Sequence, residues 1–291
     1  MFSGSITALV PPFVAGGIDE AAFQRFVEWQ VQQGSHGVVP CGSTGESATL
    51  SHAEHERVIR LCVEAAGGRV PVIAGTGSNS TAEAVSLTHG AKESGADAVL
   101  VVTPYYNKPT QEGLYLHYKK IHDSVEIPII IYNIPGRSGI DMTVDTMARL
   151  AELPRIVGVK DATNDLARPA RTRAKIGPDF CQLSGEDPTA AAFLAQGGHG
   201  LISVTANVAP AASAALQTAW RNGDFAAVAE WRDRLTALNA ALFVEVNPIP
   251  VKYAVSLLGF CGPELRLPLV EASETTRRAV EAAMRTAGVL N

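Results

Sequence analysis

A chain of 291 residues, 46% hydrophobic and 18% charged, has room for one large α/β barrel or two smaller domains, and its composition is that of a compact soluble protein. A formal charge of −5, a pI near 5.8 and the lack of any basic stripe argue against nucleic acid as a partner and leave small molecules and copies of the chain itself. No apolar run reaches membrane-spanning length, and Met1-Phe2-Ser3-Gly4 lacks the charged-then-apolar order of a signal peptide, so the expected location is cytoplasmic.

In chain order, residues 5–10 read as a first strand, and residues 19–33 as a helix from the spacing of Phe23, Phe26, Val27 and Val31. Residues 37–40 form a second strand, followed by a helix opened by a Ser51-x-x-Glu54 capping box. A third strand at 70–74 leads to a second capping box, Ser80-x-x-Glu83, and a helix to about residue 93. Strands then fall at 98–102, 128–132, 155–160, 180–183 and 200–203, separated by helices near 110–124, 143–151, 165–176 and 187–196. Eight strands, each followed by a helix, predict a (β/α)8 TIM barrel over residues 1–209. Beyond it no strand pattern appears. Helices at 211–221, 224–243, 249–258 and 274–287 predict a C-terminal extension packed on the barrel, residues 210–291, within one structural unit.

One residue is out of place in this pattern. The run Arg155-Ile156-Val157-Gly158-Val159-Lys160 reads as a strand buried on both faces, yet it ends in lysine. An ammonium facing a packed interior loses hydration, which favours the neutral amine, a nucleophile for carbonyl carbon. The alternative is an ordinary strand-end lysine with its stem buried and its charge in water.

Barrel enzymes place chemistry just past their strands. Those positions here hold Thr7, Gly42-Ser43-Thr44-Gly45-Glu46, Gly75-Thr76-Gly77, Thr103-Pro104-Tyr105-Tyr106-Asn107, Tyr132-Asn133, Lys160, Ser184-Gly185-Glu186 and Ser203, so hydroxyls and one amine are expected to converge on one rim. The Gly42–Gly45 loop suits an anion, because glycines let successive N–H groups point at one oxygen; a tight turn with local Ser and Thr caps explains it equally well. Beside a neutral lysine the fitting anion is the carboxylate of a 2-oxo acid. Tyr132 lies two residues after Ile130 and shares its inward face, where its phenol can exchange protons at Lys160. Tyrosines at strand ends commonly pack, and it is the coincidence with Lys160 that favours chemistry. Gly75-x-Gly77 lacks the third glycine of a dinucleotide loop. No metal site is expected: the four cysteines are scattered, and His52 and His55 share a helix face with no third ligand nearby.

With Lys160, Tyr132 and the 42–46 loop placed, the chain resembles the Schiff-base pyruvate lyase superfamily, and within it the dihydrodipicolinate synthase family. The likeness runs through Pro71-Val72-Ile73-Ala74-Gly75-Thr76-Gly77, Thr103-Pro104-Tyr105-Tyr106-Asn107-Lys108-Pro109, Tyr132-Asn133-Ile134-Pro135-Gly136-Arg137-Ser138-Gly139 and Ser203-Val204-Thr205-Ala206-Asn207. It implies a lyase that condenses pyruvate, as a Lys160 imine, with L-aspartate 4-semialdehyde on the diaminopimelate route to lysine, without a cofactor. By the same resemblance Tyr132, Ser43 and Tyr106, the last from a neighbouring subunit, form a proton relay. Thr44 and the loop backbone hold the pyruvate carboxylate, Gly185 and Ile202 line the pocket, and Arg137 takes the carboxylate of the semialdehyde. Feedback inhibition by lysine is implied at Ser47, Ala48, His52, His55, Asn79, Glu83 and Tyr105, and the implied assembly is a homotetramer built as a dimer of dimers.

Two residues depart from the family pattern. Ser43 stands where the synthases usually have Thr, a feature shared with sialic-acid lyase, and Asn164 stands where they commonly have Gly. Ser43 supports a sugar-acid or sialic-acid type of lyase, whereas Arg137 and the Tyr105-Tyr106 pair oppose it. A non-catalytic sensor of amino or oxo acids has no use for the nucleophile.

Overall fold

The computed structural model describes residues 1–290. Its eight barrel strands are β1 (Gly4–Ala8), β2 (Gly37–Val39), β3 (Ile73–Gly75), β4 (Ala98–Val102), β5 (Ile129–Asn133), β6 (Ile156–Asp161), β7 (Cys181–Ser184) and β8 (Gly200–Ser203). They form one parallel sheet in the order β2-β1-β8-β7-β6-β5-β4-β3, and a parallel bridge from Val38 to Val72 joins its two ends. The expected (β/α)8 barrel is present.

Period-two alternation divides each strand between two cores. Ile6, Ala8, Val39, Ile73, Leu100, Ile130, Tyr132, Leu183 and Ile202 fill the barrel. Val38, Val99, Val101, Ile129, Ile131 and Val159 face the helices. Burial on both faces is why the strands read as unbroken apolar runs.

The same alternation corrects the expectation that all the strand-end hydroxyls converge. Thr7, between Ile6 and Ala8, points outward and donates from Oγ1 to Gln30 Oε1 at 2.8 Å. Ser203, next to Ile202, donates to the buried Asp187 carboxylate, and Ser184 donates to the Glu186 carbonyl at 3.2 Å. These three hydroxyls are satisfied behind the rim.

Several short elements lack a periodic signature. A hairpin pairs Phe13–Val14 with Gly17–Ile18 across Ala15 and Gly16, both at positive φ. A 3₁₀ turn spans Ser47–Thr49, and a one-turn helix, Pro135–Ser138, carries Arg137. The expected helix at 187–196 is a 3₁₀ turn, Asp187–Thr189, followed by the helix Ala190–Ala195.

Ser51 and Glu54 form the reciprocal box that opens the helix His52–Ala66. At the helix Thr81–Glu93 only half a box is made. Ser80 Oγ accepts from the Glu83 N–H at 3.4 Å, while the Glu83 carboxylate is turned to Ser78 and His52. Past the barrel lie the helices Pro210–Arg221, Phe225–Ala241, Ile249–Leu257 and Glu274–Thr286. The third buries Val251, Ala254 and Val255 in the outer core. No helix among the described residues is long and apolar enough to cross a membrane.

Candidate active site

Lys160 is the last inward-facing residue of β6 and is 7% exposed. In register it sits beside Tyr132 of β5, which sits beside Val102 of β4, so the three occupy one level of the barrel. The Lys160 Nζ lies 4.1 Å from the centroid of the Tyr132 ring, and it makes no ion pair or hydrogen bond with any described residue. The adjacent Asp161 faces the other way, toward Arg168 Nε at 3.2 Å and the Thr163 N–H at 2.9 Å. Strand alternation thus denies Lys160 the carboxylate next to it in sequence. Gly185 closes the other flank: its N–H donates to the Asp161 carbonyl at 2.6 Å, and a Cβ there would lie 3.2 Å from Lys160 Cε. The harder clash would be with Ala162 Cβ at 2.7 Å, so a side chain there would have to move the strand end that carries Lys160. Burial pushes the nearby Glu186 carboxyl above its usual range, against the opposing pull of Lys160 and Arg137.

The polar loop after β2 forms the mouth. Gly45 is required there because a Cβ would fall 2.9 Å from the Cys41 nitrogen. Ser43, Arg137 and Asn247 line a cavity of about 470 Å³ together with Ile134 and Val102; Tyr132 and Lys160 are not in its lining, although Val102 shares their level of the barrel. Thr44 is buried, and its Oγ1 accepts from Asn247 Nδ2 at 2.9 Å. Glu46, at a left-handed φ of 49°, turns inward and pairs with Lys252 Nζ at 2.6 Å. The Gly75-x-Gly77 pair proves to be packing: a Cβ would lie 2.1 Å from the Cys41 carbonyl at Gly75 and 2.4 Å from the Val102 nitrogen at Gly77. Asn164 adopts the left-handed turn that glycine would take, with φ of 61°.

A family model described as the dihydrodipicolinate synthetase family matches residues 1–287. The chain belongs to this family. A relative from Rhodospirillum centenum named 4-hydroxy-tetrahydrodipicolinate synthase is 69% identical over 290 residues, covering all of both chains. Among solved structures, a chloride-inhibited dihydrodipicolinate synthase from Acinetobacter baumannii complexed with pyruvate is 45% identical at a TM-score of 0.97 over all of both chains. One from Cyanidioschyzon merolae with lysine bound is 38% identical at a TM-score of 0.95 over 99% of each chain.

Most of the residues that the family resemblance implies for a regulatory site line the same cavity as Arg137. Ser47, Ala48, His52, His55, Glu83 and Tyr105 are in its wall, whereas Asn79 is not; the Asn79 carbonyl instead accepts from Asn107 Nδ2 at 2.9 Å. His55 is buried and donates from Nε2 to the Gly75 carbonyl at 2.7 Å, and burial pushes its pKa down. The Glu83 carboxyl is held below its usual range by the Ser78 hydroxyl and then by His52, 3.0 Å away. Tyr106, implied to serve a neighbouring subunit, lies outside the cavity of its own chain, 88% exposed and at φ of 71°.

Sequence reading missed Asn247 and Lys252. The one available signal was a lysine inside the otherwise apolar stretch Ile249-Pro250-Val251-Lys252-Tyr253-Ala254-Val255, which marks a buried charge in want of a partner.

Proposed function

We infer that this chain is a 4-hydroxy-tetrahydrodipicolinate synthase that joins pyruvate to L-aspartate 4-semialdehyde. The observation that carries the reading is a buried lysine amine lying against a tyrosine ring, with no ion pair or hydrogen bond to a described residue. The amine attacks C2 of pyruvate and water leaves, forming an imine. Loss of a C3 proton gives the enamine, whose carbon attacks the aldehyde. The amine of the semialdehyde then attacks C2 and releases Lys160, so the imine is the only electron sink needed. Tyr132 and Ser43 pass protons in these steps, together with the Tyr106 hydroxyl brought from a neighbouring copy. Ser43 keeps the hydroxyl of the usual threonine and so preserves the relay.

Thr44 and the loop N–H groups hold the pyruvate carboxylate, with the backbones of Gly185 and Ile202 closing the pocket. Arg137 takes the second carboxylate at the exposed mouth, where a planar fork suits it. The exposure of Tyr106 supports a dimer that completes the site, and two such dimers make the tetramer. Four free cysteines, three of them buried, fit a cytoplasmic enzyme. Membership of a synthase family over the whole chain outweighs Ser43 as the single residue favouring a sugar-acid lyase.

Turnover of pyruvate and aspartate semialdehyde, followed by a reductase that consumes NADPH, tests the reading; an enzyme active only with sugar-acid aldehydes would contradict it. Arg137→Ala is expected to lower kcat/KM for the semialdehyde by on the order of 10²-fold while pyruvate still forms its imine. Unchanged semialdehyde kinetics would remove Arg137 from the site.

Lysine binds in the wall formed by His52, His55, Glu83 and Tyr105, with the Glu83 carboxylate taking an ammonium. Glu83→Gln is expected to raise the lysine concentration for half-inhibition by about tenfold or more and to leave the pyruvate KM unchanged. Equal inhibition of both enzymes would place lysine elsewhere.

A further inference from the structure

Asn247 is where the C-terminal extension enters the cavity wall, and it touches both carboxylate-binding residues at once. Its Nδ2 donates to Thr44 Oγ1 at 2.9 Å, and its main-chain carbonyl accepts from Arg137 Nη2 at 2.9 Å. The segment is anchored just downstream. The Lys252 N–H donates to the Pro248 carbonyl at 2.9 Å, and the wholly buried Lys252 ammonium pairs with Glu46, two residues past Thr44. The anion loop and the extension are therefore tied at two points, one of which is the Thr44 hydroxyl.

The direction of the first bond matters chemically. A threonine hydroxyl has one proton to give and lone pairs to receive. Because Thr44 receives from the Asn247 amide, its own proton is kept for another acceptor, and the acceptor expected in the pocket is a carboxylate. The carbonyl of Asn247 uses one guanidinium N–H of Arg137 and leaves the remainder of the fork for the second substrate.

Resting on the function inferred above, we propose that Asn247 is a positioning residue of the condensation. It sets the Thr44 proton toward the pyruvate carboxylate and fixes the reach of Arg137, so that one residue of the C-terminal extension sets the spacing of the two carboxylate sites.

Asn247→Asp keeps the shape and reverses the polarity. The new carboxylate accepts from the Thr44 hydroxyl, turns its proton away from substrate and adds a like charge beside the pyruvate carboxylate. Asn247→Ala only removes the donor. The pyruvate KM is expected to rise by about 10- to 100-fold in Asn247→Asp and by a few-fold in Asn247→Ala. In both variants kcat at saturating pyruvate stays within a few-fold of the parent, and borohydride still traps pyruvate on Lys160 at high concentration. A part that is structural only would lower kcat and thermal stability together, with Asn247→Ala the worse of the two. That ordering, or an unchanged pyruvate KM in Asn247→Asp, would overturn the proposal. Failure of the parent enzyme to trap pyruvate would instead overturn the function on which it rests.

Discussion

Lys160→Ala is expected to fold normally and to lose turnover by about 10⁴-fold or more, the scale on which removal of a covalent nucleophile acts. The effect is large because no second amine shares the position: the other buried lysine, Lys252, is committed to Glu46. Lys160→Arg separates nucleophilicity from charge. A guanidinium places a fixed positive charge at this position but forms no imine. Its loss should match that of Lys160→Ala. Substantial turnover by Lys160→Arg would mean that the position acts through its charge.

Lys252→Met is expected to be the most destabilising of the changes discussed here. Both side chains of the Lys252 and Glu46 pair are removed from water, and the Lys252 ammonium also lies 3.7 Å from the centroid of the Phe13 ring. Burial pushes the Lys252 ammonium below its usual range, and the Glu46 carboxylate pulls it back. Removing the lysine strands a buried carboxylate, which costs about 3–5 kcal/mol. For a chain of this size that is a fall in thermal midpoint of roughly 6–10 °C. Glu46→Gln in the same chain removes the stranded charge and retains an acceptor for the Arg266 N–H, 3.1 Å from Glu46 Oε2. The double variant should therefore recover part of the loss. If Lys252→Met melted with the parent, the buried pair would not be holding the extension to the anion loop.

The barrel was legible because parallel strands covered on both faces leave compact apolar runs, and because the inter-strand helices are capped by residues such as Ser51 and Glu54. Tyr132 could be aimed inward from Ile130 by counting in twos along one strand. The same count applied to Thr7 and Ser203 would have turned them outward, where Gln30 and Asp187 wait; their polarity alone made them resemble rim residues. Glu83 shows the reverse case. Its capping pattern was correct locally, but Ser78 and His52 offered its carboxylate better partners. Asn247 and Lys252 were out of reach for a different reason. They meet Thr44 and Glu46 across more than two hundred residues, and no periodicity within one element encodes such a pairing.

The account turns on one covalent bond, and the most direct test is to treat the enzyme with pyruvate and borohydride and to map the modified peptide by mass spectrometry. The account predicts a single reduced pyruvate adduct, on Lys160. An unmodified protein, or an adduct on Lys252 or a surface lysine with Lys160 untouched, would contradict it.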